Sequence, residues 1–303
     1  MRILVTGASG LLGLNFCLKT ADEHQLTGVT HSSTLRDLPF ESVQCDLSEA
    51  GVIAQLIDNH HPQLVLHCAA MANVDACETH PDRAMSINAQ VPGELAAVCH
   101  VRHIKLVHIS TDAVFDGRKG DYSEEDDPNP LSVYASSKLA GELNVLQANP
   151  EAIVARVNFY GFSVSGSRSL AEFFLNHLSA GNSVNGFVDV MFCPLYVADL
   201  IDVIMKMVDN ELMGLYHVVS PESLSKYTFG VNIARKFGFD SSLVKPISVA
   251  EGGLTARRSP RLDLSIDKLK KEKILPPNQT AGMDQFYQDF MSGLPEKIKS
   301  FAL

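Results

Sequence analysis

The chain has 303 residues, 46% of them apolar, enough to bury a full core in one or two domains, which excludes a disulfide-stapled miniprotein and a disordered regulator. Lys and Arg number 25 against 35 Asp and Glu, a formal charge of −10. The whole-molecule field therefore repels nucleic acid and anionic membrane surfaces, and an anionic ligand must meet a local cluster of basic residues.

No stretch approaches the roughly 18 to 20 consecutive apolar residues of a membrane helix. The opening Met1-Arg2-Ile3-Leu4-Val5-Thr6-Gly7 runs into glycines with no small-residue cleavage pattern and reads as a first strand, not a signal peptide. Cys17, Cys45, Cys68, Cys77, Cys99 and Cys193 stand singly with no CxxC pair, which suits a reducing cytoplasm. Cys99 with His100 and His103 lacks a carboxylate partner, so no metal is expected.

In chain order, short β-branched runs alternate with longer amphipathic segments, the pattern of a parallel sheet wound with helices. Strands are expected over 2–6, 26–30, 64–68, 105–110 and 152–157, and helices near 11–20, 50–60, 82–100 and 133–147. Within 82–100, Ala84, Ile87, Val91, Leu95 and Val98 recur every three or four residues, so one face is apolar and buries against the sheet. The acidic run 124–127 reads as a solvated loop.

Beyond Tyr160-Gly161 the alternation breaks into Ser, Gly and Asn clusters. The expected fold is α/β, a Rossmann-type doubly wound parallel sheet with a smaller C-terminal substrate region. Residues 1–161 are expected to form the sheet domain and 162–303 mainly the second region, with later strands near 192–219 returning to the first. Strands are expected at 192–197 and 215–219, and helices at 226–236 and 267–273.

Thr6-Gly7-Ala8-Ser9-Gly10-Leu11-Leu12-Gly13 follows a strand and opens a helix. Glycines at intervals of three let backbone approach a pyrophosphate and let helix pack on strand, while the helix N-terminus favours negative charge. Gly7, Ser9, Gly10, Leu11, Leu12 and Gly13 are thus candidate cofactor residues. No Asp or Glu occurs from His24 to Arg36, where one would hold the ribose hydroxyls of NAD. His31, Ser32 and Arg36 instead suit a 2′-phosphate, so NADP(H) is preferred and NAD(H) possible. Asp46-Leu47 is placed to meet the adenine, with a helix N-terminal Asp as the plainer alternative.

Tyr134-Ala135-Ser136-Ser137-Lys138 puts a phenol and an ammonium on one helix face. A nearby cation lowers a phenol pKa from about 10, which prepares Tyr134 for proton transfer. The preceding strand ends in Ser110-Thr111-Asp112, so a hydroxyl and the tyrosine converge at the sheet's carboxyl edge.

These residues resemble the extended short-chain dehydrogenase/reductase family, and within it the dTDP-4-dehydrorhamnose reductases. The carrying phrases are the three glycines, His67-Cys68-Ala69-Ala70-Met71-Ala72-Asn73-Val74-Asp75, Ser110-Thr111-Asp112-Ala113-Val114-Phe115-Asp116-Gly117, Tyr122-Ser123-Glu124-Glu125-Asp126, and Tyr134 through Glu142. The likeness is dense over 1–161 and thinner to about 270. The non-catalytic, NADP-binding regulatory subunit of methionine adenosyltransferase shares much of the pattern.

The resemblance implies that Tyr134 protonates the sugar carbonyl as hydride arrives from the nicotinamide. Lys138 holds the nicotinamide ribose, and Thr111, or Ser110 in the other register, bonds the same carbonyl oxygen. Cys68, Ala69, Ala70 and Ala72 line the cofactor, while Asn73, Val74 and Asp75 lie near the substrate. Asn88 supports the site or is a solvated helix polar group. Arg156, Asn158 and Tyr160-Gly161 occupy a loop facing the nicotinamide amide. Arg258 and Arg261, with Arg257 nearby, fall where the family has an Arg-Pro phrase and read as a pyrophosphate clamp; Arg168 is a further candidate.

Three departures fall on the substrate side: Ala113 for an aromatic, Cys193-Pro194-Leu195 for a Pro-Thr pair, and Ser259-Pro260 for Arg-Pro. The implied protein is a cytoplasmic NAD(P)H-dependent reductase of a 4-keto-6-deoxy nucleotide sugar, a homodimer by family expectation. The alternatives are a regulatory NADP-binding subunit and a nucleotide-sugar epimerase or dehydratase.

Overall fold

The computed structural model describes residues 1–252 and 259–302. Its centre is a seven-stranded sheet built from β1 (Arg2–Thr6), β2 (Gln25–Thr30), β3 (Glu41–Gln44), β4 (Leu64–His67), β5 (Lys105–Thr111), β6 (Ile153–Val157) and the strand Gly214–Val218. The order is Gly214–Val218, β6, β5, β4, β1, β2, β3, and all neighbours run parallel. The order reverses between β1 and β4, and a ligand crevice opens outside the carboxyl ends at such a switch point.

Both faces of the sheet are covered, so the middles of its inner strands, residues 3–5, 64–66 and 106–107, are continuous apolar runs instead of alternating with polar residues. Ile3, Val5, Leu64, Leu66 and Val107 face one apolar layer; Leu4, Val65, Leu106 and Val154 face the other. The helices Leu11–Thr20, Val52–His60, Val91–Val101 and Val133–Ala148 connect these strands.

Four segments differ from expectation. The edge strand β3 was not foreseen, because Glu41-Ser42-Val43-Gln44 pairs only with β2 and exposes most of its side chains. The helix over 82–100 is instead Pro81–Met85, a π-helical turn Ser86–Gln90 and Val91–Val101. The strand over 192–197 is split into Met191–Phe192 and Leu195–Tyr196, in different small sheets, because Pro194 has no N–H to give to a ladder. The Ser-rich stretch after Gly161 leads into a helix, Leu170–Ser179, started by a capping box of Ser169 and Glu172.

Leu195–Tyr196 pairs with Phe159–Tyr160, and Val184–Phe187 with Val244–Ile247. Met191–Phe192 lies between Leu224–Ser225 and Arg261–Leu262. Tyr160, Tyr196, Phe229 and Phe286 form one aromatic cluster that ties the helix Gln279–Met291 to this region. No helix among the described residues is long and apolar enough to cross a membrane.

Candidate active site

β1 leads into Gly7, whose φ of +68° favours glycine and whose missing Cβ would lie 2.8 Å from the Ala69 nitrogen. Gly13 is required for another reason: a Cβ there would meet the Gly7 carbonyl oxygen at 2.4 Å. The helix Leu11–Thr20 starts from Gly10 with no side-chain cap, so its leading N–H groups remain for a ligand. Leu12 and Gly13 are buried behind this turn, and Leu11 is half-buried.

A cleft of about 510 Å³ opens at the turn. Gly7, Ser9 and Gly10 line its floor, His31, Asp46 and Leu47 one end, and Cys68, Ala69 and Ala70 its β4 wall. Sequence reasoning missed His80, Arg83, Ile87 and Val91 on the opposite wall. Ile87 and Val91 belong to the apolar period assigned to sheet packing; nothing in the sequence distinguished Arg83 from a solvated arginine. Arg168 also lines the cleft, which places two permanent cations on it.

Ser32 is exposed beyond the cleft's rim. Arg36 turns away: its Nε faces the Ser300 carbonyl oxygen at 3.4 Å, and its backbone N–H donates to Phe301. Asp46 accepts from the Ser48 hydroxyl at 2.6 Å and backbone at 2.9 Å, with His31 at 3.4 Å, and these bonds hold its carboxyl below the usual range. Ala72 is exposed, and Asn73 caps the helix Val74–Thr79, which contains Val74 and Asp75, by accepting from Ala76.

The helix Val133–Ala148 begins at Ser132, whose hydroxyl accepts from the Ala135 N–H, and Glu78 accepts from the Val133 N–H at 2.8 Å. Tyr134 stands in its first turn, half-buried, hydrogen-bonded to Thr111 at the end of β5. Burial pushes the phenol up to about 12, with the Thr111 bond acting against the rise.

Lys138, one turn deeper, is 2% exposed. Its Nζ donates to the Ile109 carbonyl oxygen at 2.7 Å and faces His108 Nε2 at 3.4 Å. Burial lowers its pKa to about 8. The expectation that Lys138 depresses the Tyr134 pKa is therefore corrected for this structure: the ammonium is turned to β5, and burial dominates the phenol. Tyr134 is protonated at neutral pH, as a proton donor must be.

Strand alternation settles the hydroxyl. Ser110 donates into Glu142 Oε1 at 2.5 Å, in the interior, while Thr111 is the one that reaches the tyrosine. Thr111 also donates to Asp112 Oδ1 at 3.2 Å and caps Ala113. Asp112 is buried, and burial raises its pKa to about 6 against the bond from Asn158 Nδ2 at 2.5 Å.

Two loop assignments are corrected. Arg156 lies in β6, its guanidinium paired with Glu142 at 2.7 Å, and Tyr160 is in the strand Phe159–Tyr160 within the aromatic cluster. Of that group only Asn158 reaches the Thr111–Asp112 corner. Asn88 is not solvated: from the π-helical turn it accepts from the Met71 N–H at 2.8 Å and donates to Ser137 Oγ at 2.9 Å, fastening the loop after β4 to the helix Val133–Ala148.

Arg258 lies outside the described residues. Arg261 is exposed, pairs with Asp263 at 3.1 Å and does not line the cleft. Among the described residues no group of three His, Cys, Asp or Glu is placed to hold a metal ion.

The family profile described as RmlD substrate binding domain matches residues 1–292. The chain is 34% identical to the probable low-salt glycan biosynthesis reductase Agl14 of Haloferax volcanii, over 90% of this chain and 92% of that protein. It is 32% identical to methionine adenosyltransferase 2 subunit beta of Bos taurus, over 87% and 80%. Among solved structures, dTDP-4-dehydrorhamnose reductase from Bacillus anthracis in complex with NADP superposes with a TM-score of 0.82 at 26% identity, covering 95% of this chain and 99% of that one.

Proposed function

Since this chain belongs to the RmlD substrate binding domain family, we propose that it is an NAD(P)H-dependent reductase of a 4-keto-6-deoxy nucleotide sugar. The observation that carries the reading is the junction of Thr111, Tyr134 and Lys138 at the carboxyl edge of β5, beside a cleft whose glycine floor would be closed by any Cβ at Gly7 or Gly13. That floor and the uncapped helix N-terminus fit a dinucleotide pyrophosphate.

When bound, the cofactor supplies the hydride. Ser9 and Gly10 meet its phosphates, Ala69 and Ala70 lie along it, and Lys138 holds the nicotinamide ribose. Arg83 and Arg168 add local positive charge to a chain of net charge −10. With no carboxylate at the end of β2, this favours NADP(H), and NAD(H) remains the weaker ligand. Tyr134, protonated at neutral pH, gives its proton to the carbonyl oxygen that Thr111 bonds. Residues 1–161 serve the cofactor and 162–303 mainly the sugar nucleotide, with Arg258 and Arg261 on its phosphates and Asn73, Val74 and Asp75 on its sugar. The reaction belongs in the cytoplasm, where reduced cofactor and unpaired thiols coexist.

The test is loss of reduced-nicotinamide absorbance with a panel of 4-keto-6-deoxy nucleotide sugars. Turnover is expected with at least one, and it should vanish in Tyr134→Phe while NADPH still binds. The likeness to a methionine adenosyltransferase subunit supports a second reading, a cofactor-binding regulatory subunit. NADPH binding with no oxidation across the panel would favour it.

A further inference from the structure

His67, the last residue of β4, and His108, in the middle of β5, are register partners, and both are buried. Their rings stack with centroids 5.3 Å apart and planes 22° from parallel. Burial holds both below the ordinary imidazole range, His67 at about 3, so both are neutral at pH 7.

Hydrogen bonding then decides which nitrogen carries each proton. An ammonium only donates, so His108 Nε2 accepts from Lys138 Nζ at 3.4 Å and the His108 hydrogen sits on Nδ1. Thr6 Oγ1 accepts from the Ala69 N–H at 3.2 Å, and among the described residues the acceptor within reach of its own proton is His67 Nδ1 at 2.7 Å. His67 therefore carries its hydrogen on Nε2. Among the described residues neither His67 Nε2 nor His108 Nδ1 has a hydrogen-bond partner; each ring's one bonded nitrogen is the acceptor.

We propose that His108 is the positioning residue of Lys138: a neutral Nδ1–H imidazole, stacked on His67, whose Nε2 orients the ammonium without neutralising it. The groups facing Lys138 leave this task to His108. On β5 there is also the Ile109 carbonyl oxygen, and after β4 the Cys68 thiol, pushed up to about 12 by burial and thus uncharged. On its own helix Glu142 gives its oxygens to Arg156 and Ser110, and Tyr134 is protonated. A carboxylate in place of the imidazole would anchor the ammonium and compete with a ribose; a neutral acceptor gives direction and remains displaceable. The inference rests on the proposed contact of Lys138 with the cofactor.

Two measurements test it without turnover. In protein labelled with 15N-histidine, long-range 1H–15N spectra should show His108 as the neutral Nδ1–H tautomer and His67 as the neutral Nε2–H tautomer from pH 8 down to pH ~5. An Nε2–H or charged His108 at neutral pH overturns the inference. NADPH affinity measured against pH should weaken in an alkaline limb with a midpoint near the Lys138 pKa of about 8. His108→Phe removes the acceptor and should lower that midpoint by about one pH unit, and His108→Gln, which offers a carbonyl, should restore it. An unmoved midpoint in folded His108→Phe refutes the proposal; should that variant not fold, the tautomer of the unaltered protein decides. Failure of the reductase reading shows as absent turnover with both readouts intact, so the two failures are distinguishable.

Discussion

Arg156 and Lys138 are neighbouring buried cations, each 2% exposed, and the protein partners them in opposite ways. Arg156 receives both Glu142 oxygens and packs its guanidinium 4.9 Å from the centre of the Phe115 ring. Lys138 receives a carbonyl oxygen and a neutral imidazole. Glu142 is four residues from Lys138 on the same helix, a spacing at which side chains can meet, yet it turns to β6. Pairing makes Arg156 a structural cation; Lys138 is bonded only to neutral acceptors, as the proposed contact with a ribose requires.

Substituting each cation by methionine breaks the comparison if the effects coincide. Lys138→Met removes the cation proposed to hold the nicotinamide ribose and should weaken NADPH by ~10–100-fold, the worth of a hydrogen bond to a charged group of about 1.5–3 kcal/mol, with turnover falling alongside. It should change stability by less than about 1 kcal/mol, since an under-partnered buried charge is replaced by an apolar chain. Arg156→Met strands Glu142 and should cost about 3–5 kcal/mol in denaturant unfolding. NADPH affinity of the folded fraction should stay within about twofold, because the Arg156 guanidinium is closed off by Glu142 and the Phe115 ring. Equal stability losses in the two variants would show that both cations are structural.

Half of this seam was legible in the sequence. The spacing of Tyr134 and Lys138 put them on one helix face, and Gly7 and Gly13 were marked by a strand–turn–helix context that the 2.4 Å approach to Gly7 explains. Legibility stopped where tertiary packing chose between equivalent local options. Ser110 and Thr111 point to opposite sides of β5, and no local signal says which side holds the tyrosine. Glu142 had two cations within reach, and Arg156 reads equally well as a loop residue until β6 is paired. Arg36 stood closer in sequence to the presumed 2′-phosphate than Arg83, but the fold sends Arg36 to the chain's end and Arg83 to the cleft.

His108 beside Lys138 and the other buried histidines also leave a signature in acid. His67, His108 and His217 have lowered pKa values, so the stability they contribute is present above pH ~6.5 and lost as pH falls. Asp112 and Asp199 are raised to about 6 and act oppositely: their contribution is full below pH ~3.8 and lost as pH rises through about 6. Three histidines against two carboxylates leave the unfolded chain with about one more bound proton between pH ~5 and ~6, above the range in which carboxylates of lowered pKa, such as Asp116 and Asp126, steepen the loss further. Stability should fall by about 1.4 kcal/mol per pH unit on acidification there. His108→Phe should flatten the slope by about one proton. A slope of the other sign in the unaltered protein would mean that the carboxylates dominate.

The smallest effect separates Tyr134 from Lys138 along a single helix. Ser132 caps it by accepting from Ala135, and Tyr134 is in the first turn, while Lys138 lies one turn in, fixed to β5. Ser132→Ala removes the cap and should cost ~1 kcal/mol in unfolding. Fraying is confined to the first turn, where Glu78 still accepts from the Val133 N–H. The tyrosine should therefore lose its register with Thr111 while the lysine keeps its place. Turnover should fall several-fold and NADPH affinity should not change, as read by steady-state rates beside fluorescence titration. A parallel fall in both would mean that the helix moves as one body, and that the lysine's fixation to β5 depends on the cap as much as the tyrosine does.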